Sequence, residues 1–254
     1  LGDVYKRQAG ICSFASTSGW KSTSVAETTK NHSMSANSPK DLQRIYRERF
    51  EQSHQYRQAV WEVLISEYFG RYIPEDGAVL DLGCGYGEFI NAAKCAKKFG
   101  MDLNPDCPQY LAPEVKFLEQ DCSAHWELPD QSLDLVFTSN FFEHLPDKDC
   151  LGRTLDEARR CLAPGGRLIA MGPNIRYLPG LYWDYWDHYL PLTERSLQEA
   201  LTNRGYAVDC AIPRFLPYTM EGKKPAPLTL VKAYLRCPPV WRFMGKQFLV
   251  MATT

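Results

Sequence analysis

Residues 79–90 read Val79-Leu80-Asp81-Leu82-Gly83-Cys84-Gly85-Tyr86-Gly87-Glu88-Phe89-Ile90. An apolar run, Ala78 to Leu80, ends in the acid Asp81, and glycines then fall at every second position, 83, 85 and 87. Without a Cβ the chain can turn sharply there and admit a ligand close to its main chain. An amphipathic stretch follows at once, so the unit reads as a strand, a glycine turn and a helix N-terminus. Free amides at such a terminus favour an anionic or electron-rich ligand. The dinucleotide fingerprint needs its third glycine one position later, where Glu88 stands. That difference speaks against a nicotinamide-dependent reductase.

Working outward, strand and helix patterns alternate: strand 78–82, helix 87–98, strands 99–102, 115–120 and 133–139, helix 149–162, strand 167–172. Such alternation predicts a parallel sheet covered on both faces, with ligands bound outside the carboxyl ends of its strands. Asp81, Asp102, Asp121 and Asn140 all fall at such ends. Each alone could be a turn former; four together aim polar groups at one crevice. Further on, Thr193 to Arg204 reads as a helix closed by Gly205, followed by a strand over Tyr206 to Ile212. A final strand is expected over Gln247 to Ala252, with residues 213–246 as an insert or cover before it.

These markers, in this order, resemble the class I S-adenosylmethionine-dependent methyltransferases of small-molecule type, over about residues 40–254. The glycine turn is followed by Phe99-Gly100-Met101-Asp102-Leu103, by Val115 to Cys122, by Ser132 to Asn140 and by Leu162-Ala163-Pro164-Gly165-Gly166. The resemblance implies an α/β, Rossmann-like fold: a seven-stranded, mostly parallel sheet with an antiparallel last strand and helices on both faces. It implies S-adenosylmethionine as cofactor, with Gly83, Cys84, Gly85 and Gly87 against it. Asp102 is then expected on both ribose hydroxyls, because a carboxylate accepts two hydrogen bonds. Asp121 is expected on the adenine amino group, and the Cys122 amide on a ring nitrogen. Asp81 orients the turn or accepts from the methionine ammonium. Leu103, Trp126 and Phe141 flank the adenine or belong to the core. The Asn-Pro-Pro-Tyr/Phe tetrad of amino-group methylation is absent, and Asn140-Phe141-Phe142-Glu143 stands at the comparable place. The acceptor is left open among small molecules, glycans and lipid-linked molecules, and among oxygen, nitrogen and carbon. A non-catalytic binding module on the same fold is the alternative.

Composition fits this reading. With 254 residues, 44% of them hydrophobic, the chain can bury one good core. A formal net charge of −1 gives no sign of bulk nucleic-acid binding. No apolar run is long enough to cross a bilayer. Nine cysteines occur without a Cys-x-x-Cys pair, which predicts free thiols in a reducing, cytoplasmic setting and no zinc site or other metal. Cys84 reads as a small filler of the turn. Residues 3–8 look like translated sequencing-library sequence, and residues 9–38, rich in Ser, Thr, Ala and Asn, read as disordered. Residues 1–38 are therefore set apart as artefactual or disordered, with Met34 a candidate start and the domain proper at 39–254. No signal-peptide pattern is visible there.

Three segments carry expectations about the acceptor. From Asp41 to Tyr72 apolar residues recur at helical spacing; this segment covers the sheet edge, or places Tyr46, Arg47, Arg49 or Arg57 as a lid over the cofactor carboxylate. His144 and His188 are the candidate bases for an acceptor proton, with a packing role as the alternative for each. His188 lies in an aromatic run, Tyr182 to Tyr189, which suits a substrate loop or a rigid plug. From Gly222 onward there is no Asp or Glu, while Lys223, Lys224, Lys232, Arg236, Arg242 and Lys246 interleave with apolar residues. Such a stretch can rest on an anionic membrane or hold a phosphate-bearing acceptor, or form a covering hairpin with a solvated rim.

Overall fold

The computed structural model describes residues 54–218 and 226–254. Helix α1 (His54–Glu67) leads into β1 (Ala78–Leu82) and a short α2 (Glu88–Ala92). There follow β2 (Lys97–Asp102), β3 (Val115–Glu119), β4 (Leu133–Ser139), α3 (Lys148–Cys161) and β5 (Leu162–Pro173). The last third adds α4 (Glu194–Thr202), β6 (Ala207–Ile212), α5 (Leu228–Leu235), α6 (Pro238–Met244) and β7 (Gln247–Thr253). The strands form one seven-stranded sheet in the order β3-β2-β1-β4-β5-β7-β6. Strands β1 to β5 are parallel, and β7 runs antiparallel to both β5 and β6. This is the sheet the resemblance implies.

Side chains alternate across the strands, so each strand feeds two cores. Leu80 and Leu82 of β1, Leu168 and Ala170 of β5, and Val250 and Ala252 of β7 join one cluster with Leu155, Leu197 and Tyr206. Val79, Ile169, Leu249 and Met251 point the other way, toward Leu64, Phe69, Phe215 and Trp241. Strand β4 breaks the alternation at a register shift between Leu133 and Leu135. Leu133 and Val136 consequently share the first cluster while Leu135 and Phe137 join the second. Two helices are capped at their N-termini by residues that suit the task. Asp147 accepts from the Cys150 amide at 2.7 Å, and Thr193 and Ser196 form a reciprocal capping box at the start of α4.

Two expectations are corrected. The helix after the glycine turn ends at Ala92, well short of residue 98. The amides of Ala96 and Lys97 both donate to Gly77 O at 3.1 Å, so the chain is already returning to the sheet, and β2 starts at Lys97. The described part of the insert is helical and not a hairpin: Pro238 opens α6, where a missing N–H costs nothing. Leu235 and Trp241 are buried there, and Arg236 makes two bonds to Glu67, at 2.8 and 3.0 Å. The pair fixes α5 to α1 and neutralises one of the six cations. Lys223 and Lys224, like the segment 1–38, lie outside the described residues.

Candidate active site

The three glycines of the turn all have positive φ, at 71°, 51° and 75°. At Gly83 the geometry demands glycine twice over, because a Cβ there would run into the Phe141 ring. The Gly83 and Cys84 amides both donate to Met101 O, at 2.9 and 3.1 Å, which holds the turn against the end of β2. Asp102 sits at that end. Its Oδ2 accepts from the Gly85 amide at 2.9 Å and its Oδ1 from the Asn104 amide at 2.8 Å. Each carboxylate oxygen can take about two hydrogen bonds, so each keeps acceptor capacity for a ligand hydroxyl. Burial raises the Asp102 carboxyl above its usual range, against the amides of Asn104 and Gly85, which favour the anion.

Two more acids surround the turn. Asp81 is buried, and its carboxyl is held well above the ordinary value by that burial and by the charges of Glu88 and Asp102. Glu88 is buried too, at the first turn of α2, paired with Arg57 Nε at 2.9 Å. Arg57 therefore anchors α1 to the glycine turn; Tyr46, Arg47 and Arg49 lie outside the described residues. A cationic ligand placed beside Asp81 and Asp102 would oppose these rises and favour their ionised forms. Cys84 turns its thiol inward, buried beneath the loop, as a filler would.

The other strand ends are placed as follows. Asp121 is exposed, and its Oδ1 accepts from the Ser123 amide and hydroxyl at 2.8 and 2.9 Å. That arrangement leaves Oδ2 directed elsewhere. Cys122 is buried, its Sγ 3.3 Å from the Thr154 hydroxyl. Trp126, for which the sequence leaves both adenine and core open, is buried, with its indole N–H on Cys122 O at 2.8 Å. Leu103 and Phe141 are half-buried and keep a face available. Asn140 adopts φ 50°, left-handed for a residue with a side chain. Asparagine tolerates that conformation in turns.

After β4 the chain makes a short turn through Phe142, Glu143 and His144, and the structure brings His188 to it. The two imidazoles lie 5.1 Å apart, edge to face, and His188 stacks on Tyr185 at 5.0 Å. Main-chain bonds from Tyr189 and Leu190 to Glu143 O, at 2.8 and 3.1 Å, stitch the two segments together. His144 Nδ1 lies 2.8 Å from Asp187 O and 3.3 Å from Asp187 Oδ2. A carbonyl can only accept, so Nδ1 carries a proton. Burial lifts the Glu143 carboxyl to about 7, opposed by the neighbouring His144. An open cavity of about 520 Å³ is lined by Tyr177 to Leu181, Asp184 and Lys246.

Residues 53–211 match the family described as methyltransferase domain. This chain belongs to that family. Trans-aconitate 2-methyltransferase of Variovorax paradoxus is 34% identical over 115 residues, 42% of this chain and 42% of that one. Phosphoethanolamine N-methyltransferase 1 of Arabidopsis thaliana is 32% identical over 101 residues, 36% of this chain and 20% of that one. The chain spans less than half the length of these curated relatives. A SAM-dependent methyltransferase from Archaeoglobus fulgidus shares the fold, with TM-score 0.60 over 81% of this chain and 99% of that one at 19% identity. The domain is thus a class I S-adenosylmethionine-dependent methyltransferase domain, and its two named relatives differ widely in acceptor.

Three features of this methyltransferase domain escape the sequence. Glu143 and Asp187 adjoin the two histidines in sequence, yet a carboxylate beside a histidine is usually a solvated one, and their burial comes from the fold. Beside the glycine turn Tyr86 stacks on Tyr110, ring centroids 4.0 Å apart, with His54 against both at 5.9 and 5.4 Å. No spacing in the chain announces that trio. The Arg57–Glu88 pair joins segments whose contact only the tertiary structure defines.

Proposed function

We propose that the chain transfers a methyl group from S-adenosylmethionine to a small-molecule, glycan or lipid-linked acceptor by in-line displacement. The observation that carries this reading is Asp102, whose two oxygens are each aimed by one backbone amide and each retain capacity for one ribose hydroxyl. The acids around the turn suit a ligand bearing an ammonium and a sulfonium. The cofactor supplies an electrophilic methyl on a sulfur that is already a good leaving group. What the protein adds is alignment and exclusion of water. Asp102 holds the ribose, Asp121 Oδ2 and the Cys122 amide meet the adenine edge, and Asp81 orients the glycine turn beneath. Leu103 and Phe141 bracket the base, with Asn140 closing the end of β4. Across the crevice, the cluster containing His144 and His188 receives the acceptor and governs its proton.

Replacing Asp102 by Ala removes both ligand bonds and two internal ones. Cofactor affinity is expected to fall by about 1–3 kcal/mol, the range for bonds to a charged group. Asp102→Asn is expected to cost as much, because its NH₂ must face the amide of Gly85 or of Asn104. Calorimetry on both variants, with transfer of labelled methyl into an acceptor extract, checks this. Unchanged dissociation constants would show that the ribose is held elsewhere.

The acceptor is further proposed to be anionic or membrane-associated, with contact through residues 223–246. In α5 and α6 Leu235 and Trp241 are buried and Leu228, Val231 and Tyr234 pack partly against the core, as cover does, but Phe243 is 80% exposed, with Leu230 and Met244 also open. Lys232, Arg242 and Lys246 accompany them, and basic residues near an anionic surface contribute about 1 kcal/mol each. The expected result is binding to anionic but not neutral liposomes, weakened by salt and by Arg242→Gln with Phe243→Ser. Equal partitioning of both proteins under all conditions would remove the proposal. Among the described residues no helix is long and apolar enough to cross a membrane.

A further inference from the structure

The Glu143, His144 and His188 side chains offer one carboxylate oxygen and two imidazole nitrogens, all within 4.8 Å of one another. Glu143 and His188 are buried, and His144 is 25% exposed. An ion bonded at about 2.0–2.2 Å to each would hold such atoms roughly 3–4 Å apart. Side-chain shifts of under about 1 Å therefore close the set. We propose that these three residues bind a divalent transition-metal ion.

Three observations support it. The donor set, two histidines and one carboxylate, is that of metal centres which keep positions open for substrate. The segments that carry the ligands are fastened together before any ion arrives, because the Tyr189 and Leu190 amides bind Glu143 O and so lock residues 143–144 to 187–190. His144 also has the outer partner that a ligating histidine commonly shows, with Nδ1 on the Asp187 main-chain oxygen and the Asp187 carboxylate beside it. That contact fixes the tautomer in which Nε2 presents its lone pair. The sequence offers no such set, since His188 lies far along the chain from the adjacent Glu143 and His144 and shares no metal-ligand spacing with them.

The binding of the ion stands independently of methyl transfer; its role rests on the reading above. An acceptor hydroxyl on an open position is made acidic by the metal, as bound water is. Its O–H bond breaks and the proton leaves to solvent. The oxygen then bonds to the methyl carbon while the carbon–sulfur bond breaks, its electron pair staying on sulfur as S-adenosylhomocysteine forms. The ion keeps its oxidation state throughout. The acceptor class this favours is a hydroxyl compound with a second oxygen able to chelate, and the product is an O-methyl ether.

The test is titration of the EDTA-treated full-length chain with Co²⁺, read by its visible d–d bands without any S-adenosylmethionine. One equivalent is expected to bind in wild type and in Asp102→Ala. His144→Asn and Glu143→Gln are expected to lose the bands, and Asp187→Asn to bind about 10–100-fold more weakly, as outer-partner changes do. Melting curves on each variant separate a lost ligand from a lost fold, and His144→Asn, the most accessible position, carries the result if the buried variants unfold. Absence of bands in folded wild type, or bands that persist unchanged in His144→Asn, overturns the proposal. Intact S-adenosylmethionine binding alongside that outcome would leave the methyl-transfer reading standing.

Discussion

Phe137→Ala is expected to destabilise the protein by about 3–5 kcal/mol, the range for removing a buried aromatic. Phe137 has no exposed surface. It stacks on Phe89 with centroids 3.8 Å apart, and Trp61 and Phe69 meet it edge-on at 5.6 and 5.3 Å. One ring thus joins β4, α1 and α2, and no neighbour can fill the space without moving an element. At about 2–4 °C per kcal/mol for a domain of this size, the melting midpoint should drop by about 6–20 °C. Phe137→Leu, which keeps most of the volume, should cost less than half as much. Calorimetric or denaturant unfolding decides it, and a loss under 1 kcal/mol for the alanine variant would show that the second core is not organised around this ring.

Gly83→Val is expected to abolish useful cofactor affinity. Left-handed backbone costs a residue with a side chain about 1–2 kcal/mol, and forcing atoms into filled space adds about 1–3 kcal/mol. Both apply at Gly83, with φ 71° and the Phe141 ring in the way. Relief is possible only by moving the turn or Phe141, and both belong to the cofactor crevice. A fall in affinity of at least about 30-fold is expected, equivalent to about 2 kcal/mol. Gly180→Ala is the control, since a Cβ there meets nothing within 4 Å and affinity should not change. Equal dissociation constants for wild type and Gly83→Val would place the cofactor away from the turn.

Local chemistry made the sheet and its cofactor edge legible. The acid ending β1, the glycines after it and the polar residues closing β2 and β4 are set by what a strand end and a tight turn permit, and their order carries the topology. Helix α2 was misjudged because an amphipathic pattern persists through Ala93 to Lys98, while the pull of Gly77 O on the returning chain is a tertiary effect. The helices of the insert are not announced by the sequence pattern, although Pro238 serves as a helix start. Trp126 was ambiguous because an aromatic after a strand can face ligand or core; its indole bond to Cys122 O decides for the core. The cluster of Glu143, His144, Asp187 and His188 was least legible. His144 and Asp187 are 43 residues apart, and nothing local says that the aromatic run will fold back onto the end of β4.

The central claim is that the glycine turn and Asp102 hold S-adenosylmethionine. Isothermal calorimetry on the purified full-length chain, with S-adenosylmethionine, S-adenosylhomocysteine and NAD in parallel, tests it most directly. Saturable heats at one equivalent are expected for the first two ligands, weakened in Asp102→Ala, with none for NAD. Heat with NAD and none with S-adenosylmethionine would contradict the account.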